Sequence, residues 1–215
     1  MRSCVTLGKR RSTSDLVIGM VGVICKDYQE KFNTEIWSCC WIRDGNGQDI
    51  LIYSGLDEEI KLATLKNNSV DVYNSIEVPQ SQSIPHIRPH KTEPWIVSTT
   101  IIGQINVFDV TTRDIKYSTL SPSCINWPSF FSSPTTICAP SKTSGVAILD
   151  IEKDVELINF VTMSPYISCG CINDQGDNLA CCNFDSVVEV FDVNNGKLIY
   201  VMEGIFSGHW PRTAY

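Results

Sequence analysis

Three stretches of this chain repeat one pattern: Gly103-Gln104-Ile105-Asn106-Val107-Phe108-Asp109-Val110, Gly145-Val146-Ala147-Ile148-Leu149-Asp150-Ile151 and Ser186-Val187-Val188-Glu189-Val190-Phe191-Asp192-Val193. Each is an alternating strand that ends in a large apolar residue followed by aspartate, and the aspartates lie 41 and 42 residues apart. Such a period, within about 40–45 residues, belongs to four-stranded propeller blades, each of which needs a neighbour to cover its apolar faces. The feature constrains the fold more than any other in the sequence.

The surrounding residues supply the other strands. After each aspartate comes a short polar turn and another apolar run, Ile115 to Leu120, Val155 to Val161 and Leu198 to Met202. Asn195-Gly196 is a hairpin signal, because both residues tolerate the positive φ of a tight primed turn. No segment holds helical apolar spacing for the length of a helix, so the chain reads as all-β. An earlier unit fits with Ala63-Thr64 in place of the aromatic-Asp pair. Four blades are expected near residues 36–76, 83–120, 125–162 and 166–204, with a fifth starting over 205–215. Pro85, Pro89 and Pro94 make the second the least regular, since proline interrupts a central ladder. Residues 1–19 lack periodicity and read as a mobile arm, leaving 20–215 as a partial propeller.

Composition narrows the function. With 17 Lys plus Arg against 24 Asp plus Glu, the net charge of −7 opposes direct nucleic-acid binding. No stretch approaches the roughly 20 apolar residues of a membrane helix. The N-terminus shows no secretory h-region, and many of the ten cysteines are adjacent or alternate, as in Cys39-Cys40, Cys169-Gly170-Cys171 and Cys181-Cys182. Neighbours in a strand point to opposite faces, so these read as reduced strand fillers. The same spacing lacks the knuckle of a structural zinc site, and no metal is expected.

Catalytic motifs are not found either. His86 and His90 flank Ile87-Arg88-Pro89 and read as solvated loop residues; neither they nor His209 accompany a nucleophile elbow. Asp57-Glu58-Glu59 reads as a charged turn. No phosphate-binding or dinucleotide fingerprint appears, so no cofactor is expected.

The stretch Asn33-Thr34-Glu35-Ile36-Trp37-Ser38-Cys39-Cys40-Trp41, followed by Gly55-Leu56-Asp57-Glu58, resembles the first blade of the WD-repeat subunit of the superkiller complex. Asp185 to Gly204 is similar to that family's fourth-blade ending, and Trp127 stands where its third blade holds an aromatic. The resemblance covers roughly Val21 to Gly204. It implies seven blades, of which this chain carries about four, an incomplete ring, and hence an incomplete gene model or splice product. Val21 to Tyr28 would be the strand that closes the ring. If each open flank exposes about 500 Å² of apolar surface, the lost burial is roughly 12 kcal/mol at about 25 cal/mol per Å². That rivals the whole stability of a domain, about 5–15 kcal/mol, so a free four-blade arc is expected to be marginal, with edges open to pairing.

The resemblance also implies roles for residues. Asp57 and Asp185, each following the third strand in a small-x-Asp pattern, would join a buried network that holds the blade. Asp109, Asp150 and Asp192 are likewise expected to be structural. Trp37, Trp127 and Tyr166, at the entrance to a strand facing the narrower rim, are the candidate partner contacts, with blade packing as their alternative role.

By function, the resemblance implies a non-catalytic scaffold in the nucleus and cytoplasm. Its partners would be a helical-repeat scaffold of the superkiller complex, in exosome-linked 3′-to-5′ RNA decay, and subunits of the RNA polymerase-associated factor complex. Two competing readings are another WD-repeat adaptor, such as a ubiquitin-ligase substrate receptor, and a thiol-dependent enzyme motivated only by the cysteines.

Overall fold

The computed structural model describes residues 35–56, 58–66, 69–78, 83–121, 129–141, 145–164 and 167–204. The expected arm over 1–19, the closing strand Val21 to Tyr28 and the fifth unit from 205 lie outside the described residues.

The described strands form four sheets of four. The first contains β1 (Ile36–Arg43), β2 (Asp49–Gly55), β3 (Glu59–Lys66) and β4 (Ser69–Glu77). The second contains β5 (His86–Pro89), β6 (Trp95–Thr99), β7 (Gln104–Asp109) and β8 (Ile115–Leu120). The third contains β9 (Phe130–Ser133), β10 (Thr136–Pro140), β11 (Val146–Asp150) and β12 (Val155–Phe160). The fourth contains β13 (Ile167–Ile172), β14 (Asn178–Asn183), β15 (Val188–Asp192) and β16 (Leu198–Met202). Within every sheet the strands follow chain order and pair antiparallel.

Alternation decides what each strand buries. Ile60 and Leu62 of the first sheet meet Ile87, Ile96 and Phe108 of the second. Val97, Ile105, Val107 and Tyr117 of the second then meet Ile137, Ala139, Ala147 and Leu149 of the third. Cys138, Val146, Ile148 and Phe160 of the third meet Leu179, Cys181 and Phe191 of the fourth. There the rings of Phe160 and Phe191 lie edge to face, centroids 5.5 Å apart. A middle sheet is covered on both sides, which is why β11, Val-Ala-Ile-Leu-Asp, is buried at every position. Each fully buried large side chain contributes about 1.5–3 kcal/mol, so these junctions hold the sheets together.

The repeated aspartates end the third strands by capping turns. Asp109 Oδ1 accepts the N–H groups of Thr111 and Thr112 at 2.9 and 3.2 Å. Asp150 Oδ1 accepts those of Glu152 and Lys153, both at 3.0 Å, and Asp192 Oδ1 that of Asn194 at 2.8 Å. Four residues after each aspartate the backbone turns left-handed, at Arg113 (φ 69°), Asp154 (φ 52°) and Gly196 (φ 73°). The hydrogen bond from Lys153 Nζ to Asp150 holds that carboxyl below its ordinary pKa, assisted by the two backbone donors. In the first sheet Thr64 stands at this position and caps nothing. There the ladder runs on through Thr64↔Asp71, Leu65↔Val70 and Lys66↔Ser69.

Several expectations are corrected. Asn195-Gly196 is not a primed two-residue turn: of the two only Gly196 has positive φ, because the Asp192 cap sets a longer turn. The prolines of the second sheet do not break it, since Pro89 ends an edge strand where no further ladder bond is needed. His90 is not a solvated loop residue. It is buried at the β5–β6 turn, where Nδ1 accepts the N–H groups of Thr92 and Glu93 at 3.1 and 2.9 Å. Its ring lies edge-on to Phe131, 4.6 Å away, and burial pushes its pKa down. An imidazole accepting at Nδ1 must be neutral, so this histidine pins the second sheet to the third.

Asp185 is corrected as well. It is exposed on the β14–β15 turn, and the buried polar group there is Asn183, whose Oδ1 accepts the N–H groups of Asp185 and Val187 at 3.0 and 3.1 Å. Asp57 lies outside the described residues. Replacing Asp109 by alanine is therefore expected to cost about 1–2 kcal/mol, the worth of a buried charged cap. Asp185→Ala is expected to stay within about 0.5 kcal/mol, as exposed positions do. Urea unfolding of the two variants measures both, and equal losses would contradict this division of roles.

Candidate interaction rim

A four-stranded meander puts its first and third turns at one end and its second turn, with the link to the next sheet, at the other. The stacked sheets thus have two rims. At one rim the first and third turns are themselves polar, with Leu65, Ile115, Val155 and Leu198 exposed at the strand ends beside them. Here Gly45 N–H donates to Thr111 Oγ1 at 3.0 Å, Arg113 Nη1 to Asn74 Oδ1 at 3.2 Å, and Tyr117 Oη to Asp154 Oδ1 at 2.7 Å, each across a sheet junction. Asp44 and Asn173 cap the first turns of their sheets in the same manner. The groups that close this rim satisfy one another.

The opposite rim differs. Sheet-to-sheet ties occur here too, from Ser54 Oγ to the Ile84 carbonyl at 2.9 Å, Thr99 Oγ1 to Ser129 Oγ at 2.8 Å and Ser121 Oγ to the Ser141 carbonyl at 2.6 Å. Beyond them, large apolar side chains face solvent. Leu56 and Phe184 are exposed at matching positions of the second turns of the first and fourth sheets. Val161 and Met163, in the link between the third and fourth sheets, are 73% and 63% exposed. Acidic residues flank the apolar set, with Glu58 and Glu59 beside Leu56 in a shallow depression closed by Lys61, and Asp185 beside Phe184. Such side chains bury much area on contact with a protein and have little to do in solution.

Trp37 lies at this rim. It is the extra residue of a bulge at the start of β1, between Ile36↔Gly55 and Ser38↔Ser54, and is partly buried. Its indole N–H donates to Glu35 Oε2 at 3.3 Å. The bulge brings the Glu35 carbonyl to where a side chain on Gly55 would stand, so only glycine fits there. Trp127 and Tyr166 lie outside the described residues. Leu56, Val161, Met163 and Phe184 were not among the expected contacts. The available signal was an apolar residue inside a turn of small and acidic ones, as in Asn183-Phe184-Asp185.

One buried charge fastens the link that carries Val161 and Met163. Glu189, on the face of β15 turned toward the third sheet, is fully buried. Its Oε1 accepts the Met163 N–H at 2.9 Å, and Oε2 has no hydrogen-bond partner among the described residues. Burial raises the Glu189 pKa, and the Met163 bond only partly opposes the shift. A carboxyl whose folded pKa lies above its unfolded value, about 4.3, gives full stability below that value and loses it as pH rises through the folded pKa. Glu189→Gln keeps an acceptor for Met163 and removes the charge. It is expected to raise the melting temperature at neutral pH by ~2–4 °C, the shift given by about 1 kcal/mol in a chain of this size. The gain should vanish below about pH 4, where the glutamate is protonated in both states. Thermal unfolding at the two pH values measures it, and an unchanged or lowered melting temperature at neutral pH would contradict the reading.

No family model matches the chain. The WD repeat-containing protein VIP3 of Arabidopsis thaliana is 23% identical over 214 residues, which cover 88% of this chain and 66% of that protein. Among solved structures, the crystal structure of the computationally designed Ika8 protein superposes with a TM-score of 0.62 at 17% identity, over 79% of this chain and 49% of that one. The chain thus spans just under two thirds of the curated relative and about half of the designed protein. Four consecutive antiparallel sheets stacked face to face give the described residues the fold of a run of β-propeller blades, and the likeness to a WD repeat-containing protein agrees with that fold.

Proposed function

We propose that this chain is a non-catalytic scaffold that binds other proteins through the rim bearing Leu56, Val161, Met163 and Phe184. The observation that carries the reading is the set of large apolar side chains that second turns and an inter-sheet link hold in solvent, Leu56, Val161, Met163 and Phe184, whereas the turns of the other rim are polar and tied to one another. A rigid stack of sheets keeps those side chains in fixed positions, so a partner meets little ordering cost. WD-repeat propellers generally serve as interaction scaffolds, and the curated relative is named for that repeat.

As a finer reading, the partners are a helical-repeat scaffold of the superkiller complex and subunits of the RNA polymerase-associated factor complex. The chain then acts in both cytoplasm and nucleus, with residues 20–215 as the propeller unit and Trp37, Trp127 and Tyr166 as further partner contacts. What supports it is the likeness of residues 33–41 and 185–204 to that family.

Charge placed on the rim tests the reading. Met163→Glu combined with Phe184→Glu is expected to reduce capture of superkiller and elongation-complex subunits at least tenfold in affinity purification from cells at native expression, with the melting temperature kept. Recovery of the same subunits at unchanged yield would remove the rim from the account. Recovery of ubiquitin-ligase subunits instead would favour a substrate-receptor role.

A further inference from the structure

The chain contains two Asn-Gly steps, Asn46-Gly47 in the β1–β2 turn and Asn195-Gly196 in the β15–β16 turn. In such a step the glycine nitrogen can attack the side-chain carbonyl carbon of the asparagine before it, because glycine has no Cβ to crowd the approach. The new N–Cγ bond closes a cyclic imide, the Cγ–Nδ2 bond breaks, and solvent carries the proton of the attacking nitrogen to the departing ammonia. Water then opens the imide to aspartate or, with one more carbon in the backbone, to isoaspartate. A water is consumed and an ammonia released, with no change of oxidation state.

The two steps share their backbone arrangement. Both asparagines are exposed, and both glycines have positive φ, 79° and 73°. Each glycine N–H donates to the carbonyl of the aspartate that begins the turn, Gly47 to Asp44 at 3.0 Å and Gly196 to Asp192 at 2.9 Å. The side chains differ. Asn195 Nδ2 donates to Asp192 Oδ2 at 2.6 Å and its Oδ1 accepts the Lys197 N–H at 2.9 Å, so both ends of that amide are held. The third sheet also crowds the turn: a Cβ on Gly196 would stand 3.1 Å from the Asn159 carbonyl oxygen and 3.2 Å from the Ile158 side chain. The side-chain amide of Asn46 has no hydrogen-bond partner among the described residues, and a Cβ on Gly47 would meet no atom within 4 Å.

We propose that Asn46 is a site of spontaneous deamidation in the folded chain, and that Asp192 and the Lys197 N–H protect Asn195 from the same reaction. Attack requires Cγ to swing over the glycine nitrogen into a reactive geometry. That rotation breaks no side-chain hydrogen bond at Asn46 and two at Asn195, which lowers the rate at the second site roughly tenfold. The modification places a new carboxylate next to Gly45, whose N–H ties the first sheet to Thr111 of the second. It stands apart from the partners assigned to the opposite rim.

Peptide mapping by mass spectrometry tests this on the full 215-residue chain, incubated at physiological temperature and mildly alkaline pH. The peptide carrying residue 46 should gain the amide-to-acid mass, as a mixture of aspartate and isoaspartate, roughly tenfold faster than the peptide carrying residue 195. Asp192→Ala, with its β circular dichroism spectrum retained, should raise the rate at Asn195 toward that at Asn46 and leave Asn46 unchanged. In guanidinium, where neither turn exists, the unaltered chain should modify both sites at similar rates; this arm needs no variant to fold. An Asn46 that stays intact in the folded chain overturns the proposal, as do equal rates at the two sites or faster reaction at Asn195. A difference that persists in guanidinium overturns it too, since the cause is then the neighbouring residues and not the fold, and so does a folded Asp192→Ala variant whose Asn195 stays slow.

Discussion

A four-stranded sheet that is apolar on both faces cannot stand alone in water, and the rest of this molecule follows from how its sheets cover one another. Each junction is made by side chains one residue apart along the same strand, pointing to opposite neighbours: Phe108 back toward the first sheet and Val107 forward toward the third, Leu149 back and Ile148 forward. One strand therefore serves two interfaces, and a one-residue slip would exchange them. The turns that begin and end the third strands fix that register. The cap at Asp109 or Asp150 is thus part of the core packing even though it sits at a rim.

Polar groups inside this stack are satisfied only in part, and Asn106 Nδ2 and Glu189 Oε2 are buried without a hydrogen-bond partner among the described residues. The position three before the repeated aspartate is Asn106, Ala147 and Glu189 in successive sheets. Asn106 is fully buried and its carbonyl oxygen accepts from Ser118 at 2.8 Å; Glu189 is fully buried with one oxygen engaged. The second case exchanges stability for position: its single bond holds the link that displays Val161 and Met163. A buried, half-satisfied carboxylate next to an exposed apolar link connects the interior of the fourth sheet to the rim where partners are proposed to bind.

The strands were legible because they obey two periods at once, alternation along each strand and an interval of about 41 residues between aspartates. Asp109, Asp150 and Asp192 identified the repeat before their carboxylates were seen to cap turns. Asp185 was misjudged because small-x-Asp specifies a turn but not which polar side chain is buried in it; Asn183 takes that place, two residues earlier. His90 was misjudged because neighbouring prolines resemble loop, whereas its burial comes from Trp95 and Phe131, the latter 41 residues downstream in another sheet. The rim residues were missed for a related reason. An apolar residue in a turn reads as core or as accident until the meander shows which end of the sheet that turn occupies.

The central claim is that successive sheets share buried faces, and Phe160 and Phe191 test it most directly because each belongs to a different sheet. A double-mutant cycle with Phe160→Leu and Phe191→Leu, read by urea unfolding, measures their coupling. Edge-to-face contact across the junction is expected to give about 0.5–1.5 kcal/mol of coupling. Strictly additive losses would contradict it, placing the two rings in separate environments and the sheets apart.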